Sequence, residues 1–86
     1  MNWGIEMQSN LEKYKQTFLE VFQLNENQLN EFLMYQSVPT WDSVGHMELI
    51  SSLEEVFQIS FDMDDVIDFS SFNKGKEILK KYQIEM

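Results

Sequence analysis

The chain has no cysteine and no arginine, and only one proline, one histidine and three glycines among its 86 residues. Without cysteine there is no disulfide framework and no thiolate metal site. Six lysines against fifteen carboxylates give a net charge of −9 and leave no basic stripe for nucleic acid, whose binding rests on cations releasing counterions. An anionic membrane repels such a chain for the same reason. No apolar run approaches the roughly 20 residues of a membrane span. Met1 to Gln8 has neither the basic start nor the apolar stretch of a signal peptide. The expectation is a soluble, cytoplasmic monomer with no nucleic-acid and no membrane partner.

What is present is a globular composition, 43% hydrophobic and 14% aromatic, enough apolar surface to offset the entropy of ordering one small domain. Charge is unevenly placed. From Gln16 through Asn73 there are eleven carboxylates and no cation. A basic protein surface would be attracted to such a segment, and long-range steering would speed the encounter. Acidity that merely keeps a small domain in solution is the plain alternative.

Periodicity predicts an all-α fold, a small bundle of three main helices and one short helix. Ser9 to Phe22 places Leu11, Tyr14, Phe18, Val21 and Phe22 on one face. Residues 1–8, with Trp3 and Gly4, show no periodicity and are expected to be flexible. Leu24 to Thr40 is a long connection, in which Leu29, Phe32 and Leu33 could form one apolar turn before Pro39 breaks it. A second helix runs from about Ser43 to Phe57, capped by Asp42 or Ser43. Its core face is Leu49, Ile50, Leu53, Val56 and Phe57, with His46 at the upper edge. The opposite face carries Val44, Met47, Glu48, Ser51, Glu54 and Glu55, acidic but with two apolar residues beside the serine. Ile59-Ser60-Phe61 is an extended connector. Asp62 caps a short helix holding Val66 and Ile67, and Ser70 or Ser71 caps a last one from Phe72 to about Tyr82. There Phe72, Gly75, Ile78, Leu79 and Tyr82 face inward and Lys74, Lys76, Lys80 and Lys81 face water.

Three constellations bear on chemistry. Ser43 with His46 one turn on could suggest a hydrolase, but a nucleophile elbow and a glycine-rich oxyanion loop are missing. Asp62-Met63-Asp64-Asp65 could suggest calcium. An EF-hand register would need an oxygen ligand at Val66, glycine at Ile67 and glutamate at Asn73, and all three fail. No catalytic residue and no metal ligand is therefore assigned. Ser43 itself could be an ordinary helix cap, the commonest role of serine at such a position. Its company argues for more: apolar Val44 and Met47, an acidic face below, and a long loop leading in.

Asp42-Ser43-Val44, then Met47-Glu48-Leu49-Ile50, Leu53-Glu54-Glu55 and Phe57-Gln58-Ile59, resembles the acyl carrier protein family. That family has Asp-Ser-Leu, a hydrophobic–Glu–Leu segment, Leu-Glu-Glu and Phe-Gly-Ile in the same ungapped register. The likeness runs from Trp41 to about Leu79. It implies that Ser43 carries a covalent phosphopantetheine arm whose thiol holds acyl or aminoacyl chains as thioesters. It implies partners too: a phosphopantetheinyl transferase that reads Asp42, an acyl-activating ligase or acyltransferase, and downstream biosynthetic enzymes. These would dock on Val44, Met47, Glu48, Ser51, Glu54 and Glu55. A helix N-terminus suits the phosphodiester, with unpaired N–H groups and a positive dipole end.

The chain departs from the family pattern at Val44 for leucine, Gly45 for an acid and Gln58 for glycine. It is similar to free-standing carriers of specialised pathways rather than to housekeeping fatty-acid carriers, and Asn73-Lys74 has a faint likeness to D-alanyl carrier proteins. Gly45 is expected to permit close approach of the arm or a partner. The reading is one carrier domain over residues 1–86, with an unmodified acidic adaptor binding a basic protein as the alternative. Short or polar cargo is favoured because Phe18, Phe22, Phe57 and Phe72 leave little interior space.

Overall fold

A computed structural model describes residues 9–86, and the expectation of flexibility for residues 1–8 lies outside the described residues. Among the described residues four α-helices follow one another: α1 Asn10–Phe22, α2 Ser43–Phe57, α3 Met63–Asp68 and α4 Phe72–Lys81. A single 3-10 turn, Glu26–Gln28, interrupts the long connection. The described residues form no strand, only one isolated antiparallel bridge between Met34 and Ser71. The fold is the expected all-helical bundle, and none of these helices is long and apolar enough to cross a membrane.

Local chemistry sets the helix ends. Ser9 accepts the Glu12 N–H at 3.1 Å while the Glu12 carboxylate accepts the Ser9 N–H at 3.3 Å, a reciprocal box that satisfies two orphan donors of α1. Ser71 accepts the Lys74 N–H at 2.9 Å and starts α4, whose last turn carries Lys80 and Lys81 against the negative dipole end. Helices α1 and α2 both stop at a glutamine in the left-handed region, Gln23 at φ 55° and Gln58 at φ 57°. Both glutamines take a conformation that glycine would adopt without strain, at a cost of about 1 kcal/mol each.

The core is an aromatic lattice. Phe18 of α1 meets the rings of Tyr14 at 4.9 Å, Phe72 at 5.1 Å, Trp41 at 5.5 Å and Phe22 at 5.7 Å, mostly edge to face. Leu49, Ile50 and Leu53 of α2 and Ile78 and Leu79 of α4 complete it. Tyr14 donates its buried hydroxyl to the Phe72 carbonyl at 2.6 Å, and burial pushes that phenol well above its ordinary pKa. Gly75 makes this possible, because a Cβ there would collide with the Tyr14 hydroxyl and the Phe69 ring.

Residues 24–42 are ordered by their own packing rather than by helix. Leu33 and Trp41 are buried, with Leu29 and Val38 packed against the core. Backbone groups find partners: Gln36 N–H to Trp41 O at 2.9 Å, Tyr35 N–H to Ser70 O at 2.9 Å, Phe72 N–H to Leu33 O at 2.9 Å. The Thr40 hydroxyl donates to the Phe22 carbonyl at 2.9 Å, satisfying an orphan acceptor at the end of α1.

The structure corrects several residue placements. Phe32 does not join an apolar turn with Leu29 and Leu33; it is 72% exposed, because the 3-10 turn ends before it, while Leu33 is buried and Leu29 packs against the core. Val56 leaves the core face and is 40% exposed, sitting at the flank of the buried arc beside Lys13, Gln16 and Glu20 of α1. Phe57 is half-buried and does pack against the core, as expected. Ile67 is 71% exposed on α3, while the buried ring in this region is Phe69, the residue after the helix. Asp62 stands at the N-cap of α3 but makes no side-chain cap bond; its backbone N–H donates to the Tyr82 hydroxyl at 2.9 Å.

Candidate functional site

Ser43 is the first residue of α2, and the cap is Asp42, whose carboxylate accepts the Gly45 N–H at 2.8 Å. The Asp42 carbonyl accepts the His46 N–H at 2.8 Å. Ser43 is exposed, and its hydroxyl bonds to none of the described residues. Capping is therefore done by its neighbour, and the serine hydroxyl serves no visible purpose in the fold.

Gly45 is buried. A Cβ on it would run into the Thr40 carbonyl oxygen and crowd the Phe22 ring. The close approach it permits is therefore that of the chain's own backbone, not of an arm or a partner as its place beside Ser43 suggested. Glycine here lets the loop ending at Thr40 lie against the first turn of α2, which fixes where Ser43 emerges.

Behind that turn stands Trp41, fully buried and stacked on Phe22 at 5.1 Å. Its indole N–H donates to His46 Nδ1 at 3.0 Å. Indole nitrogen can only donate, so Nδ1 carries no proton, and Nε2–H donates to the Val66 carbonyl at 2.8 Å. Both ring nitrogens of His46 are thus occupied, and it makes no hydrogen bond to Ser43 among the described residues. His46 and Trp41 thus form one bonded unit that anchors the first turn of α2 to the core.

Beside Ser43 opens a groove of about 330 Å³ between the first turn of α2, α3 and the loop. Tyr35, Met47, Val66, Ile67 and Phe69 make its walls apolar, and Ser43, His46 and Ser70 supply the polar atoms. Of these, Ser43, His46 and Met47 are singled out by the sequence, Ser70 only as a candidate cap, and Tyr35 and Phe69 not at all. Val66 and Ile67 were seen only as the content of a short helix. No local period links these segments; the bridge at Met34 and Ser71 brings them together.

On the outer face of α2, Val44 is 68% and Met47 56% exposed, with Glu48, Ser51 and Glu55 exposed beside them. Glu54 differs from the rest. It is half-buried, and its carboxylate accepts the Phe61 N–H at 2.8 Å, so it holds the connector after α2. The exposed acidic rim on this helix is Glu48 and Glu55.

The aspartates of α3 do a structural job as well. Asp65 is buried, paired with Lys81 and accepting the Tyr82 hydroxyl at 2.6 Å. The Lys81 bond, then the Tyr82 bond, hold its carboxyl below the ordinary range, and the same bond raises the Lys81 pKa. Burial, then the bond to Asp65, raises Tyr82. Among the described residues, no three histidines or carboxylates are placed to hold a metal ion. Comparison with models of known protein families, with curated proteins and with solved structures finds no match to this chain.

Proposed function

We propose that the chain is a carrier protein that holds acyl or aminoacyl groups on a phosphopantetheine arm attached to Ser43 and presents them to biosynthetic enzymes. The observation that carries this reading is the Ser43 hydroxyl, exposed at the start of a fifteen-residue helix and relieved of capping by Asp42. The register of Asp42-Ser43-Val44 through Phe57-Gln58-Ile59 supports it as a resemblance.

The residues present fit the group. The N–H groups of Gly45 and His46 are taken by Asp42, but those of Ser43 and Val44 have no partner among the described residues. With the positive end of the α2 dipole, they face a phosphodiester on the serine favourably. The adjoining apolar groove offers the arm a surface to lie on. When attached, the group supplies a terminal thiol on a flexible tether. Attachment would join Ser43 Oγ to the phosphorus of coenzyme A as its pyrophosphate bond breaks. The adenosine bisphosphate half leaves, and the hydroxyl proton passes to the transferase. The Asp42 carboxylate repels the phosphate, so its part beyond capping is recognition by that transferase. Val44 and Met47 form the apolar centre of a docking face, and Glu48 and Glu55 its charged rim toward basic partners. The chain performs no chemistry itself. His46, the one residue placed like a base for Ser43, is fully engaged elsewhere.

An unmodified acidic adaptor would use the same face without needing the hydroxyl. Ser43→Ala separates the two. Alanine is a good helix former and no bond is lost, so stability is expected to stay within about 0.5 kcal/mol. Transfer of a fluorescent pantetheine from a coenzyme A conjugate should disappear altogether. A Ser43→Ala chain that still accepts the label places attachment elsewhere.

A further inference from the structure

The carrier reading leaves open where the cargo lies, and the surroundings of His46 bear on that. Its ring spans the seam between the start of α2 and α3, bonded to Trp41 on one side and to the Val66 carbonyl on the other. It stacks on Trp41 at 6.2 Å and 13°, and it meets Phe69 edge to face at 6.2 Å and Tyr35 at 5.6 Å. Directly inward, Trp41, Phe18 and Leu49 have no exposed surface at all, and Phe22 and Phe69 only 1%. An alkyl chain entering the bundle beside Ser43 would have to break the Trp41–His46–Val66 bonds and part this lattice. Leaving an indole N–H and a carbonyl buried without partners is costly.

We propose that His46 is a positioning residue that latches the α2–α3 seam shut, so that cargo stays in the surface groove and only short or compact acyl and aminoacyl groups are sheltered. This rests on the carrier reading. The groove, at about 330 Å³, stands at the small end of the ~300–1,000 Å³ range of ligand pockets. One of its walls is the His46 ring itself, so the latch also shapes the site it guards.

The test loads the chain with two-, four-, eight- and twelve-carbon acyl-pantetheines from the matching acyl-coenzyme A and a broad-specificity transferase. Cleavage of each thioester by hydroxylamine is then timed. Burying two further methylenes would slow cleavage roughly tenfold. In the wild type the half-life should rise from two to four carbons and then stay within about twofold up to twelve, well short of that burial effect. The Trp41 indole N–H resonance, assigned by its loss in Trp41→Phe, should not move with chain length. In His46→Ala the twelve-carbon thioester should become protected on the order of tenfold. Trp41→Phe keeps an aromatic ring at this place while removing the bond to His46, and it serves if the alanine variant does not fold.

Protection that lengthens steadily from four to twelve carbons in the wild type, with a shifting Trp41 resonance, would put the chain in the core and overturn the proposal. A flat profile that survives in both variants would remove His46 from the role. Failure to load any pantetheine would overturn the carrier reading itself, an outcome distinct from either.

Discussion

Ser43 and Gly45 share one helical turn and stand in opposite relations to the rest of the chain. Ser43 touches nothing that the fold needs, whereas Gly45 is pressed against the Thr40 carbonyl and the Phe22 ring. Gly45→Ala gains helix propensity, but the added Cβ meets backbone that cannot swing aside. It should destabilise by about 1–3 kcal/mol, the usual penalty for overpacking a close contact. Urea unfolding measures it. A variant as stable as the wild type would show that Thr40 can withdraw and that the loop does not set the exit of Ser43. Glutamate 54 shows how a residue can be read on the right face with the wrong task, since its carboxylate is spent on the Phe61 N–H.

Helix α2 combines an inner face of Leu49, Ile50 and Leu53 with an outer face of Val44, Met47, Glu48, Ser51 and Glu55. Under the carrier reading, reversing Glu48 and Glu55 to lysine should slow loading by a basic transferase and flatten its salt dependence, with the fold unchanged. Glu54 is left out because its loss would loosen the connector. Loading kinetics across a salt series check this, and unaltered rates in the double variant would move docking off this helix. The helices were legible in the sequence because apolar spacing is local, and the caps of α2 and α4 were narrowed to two residues each, of which the structure uses Asp42 and Ser71. The groove was not, because Tyr35, Met47, and Ile67 with Phe69 come from three segments that only tertiary packing joins. Phe32 and Val56 were misplaced because an amphipathic pattern marks a face but not where its burial stops. Gln58 ends α2 in a left-handed conformation although it is not glycine, the residue that adopts it most readily.

At the scale of the whole molecule, all six lysines lie at or beyond the flanks of the carboxylate-rich segment, and the buried Asp65 joins that segment to α4 through Lys81 and Tyr82. Folding lowers the pKa of Asp65 through these bonds. Its contribution to stability is therefore complete above the ordinary aspartate range and is lost as pH falls through the lowered folded value. Lys81, raised by the same bond, contributes fully below the ordinary lysine range and loses its contribution as pH rises through the raised value. Lys81 is largely exposed, so solvent and salt weaken the pair. Melting temperature followed from pH 7 into acid should fall for the wild type, and less steeply for Asp65→Asn. Parallel acid limbs for the two would show that the pair does not govern acid stability.

The carrier role is tested most directly by intact mass after incubation with coenzyme A and broad-specificity phosphopantetheinyl transferases, with Ser43→Ala alongside. The account predicts a gain of one phosphopantetheine in the wild type and none in the variant. An unchanged wild-type mass with several transferases would contradict it and leave the outer face of α2 as the docking surface of an unmodified adaptor.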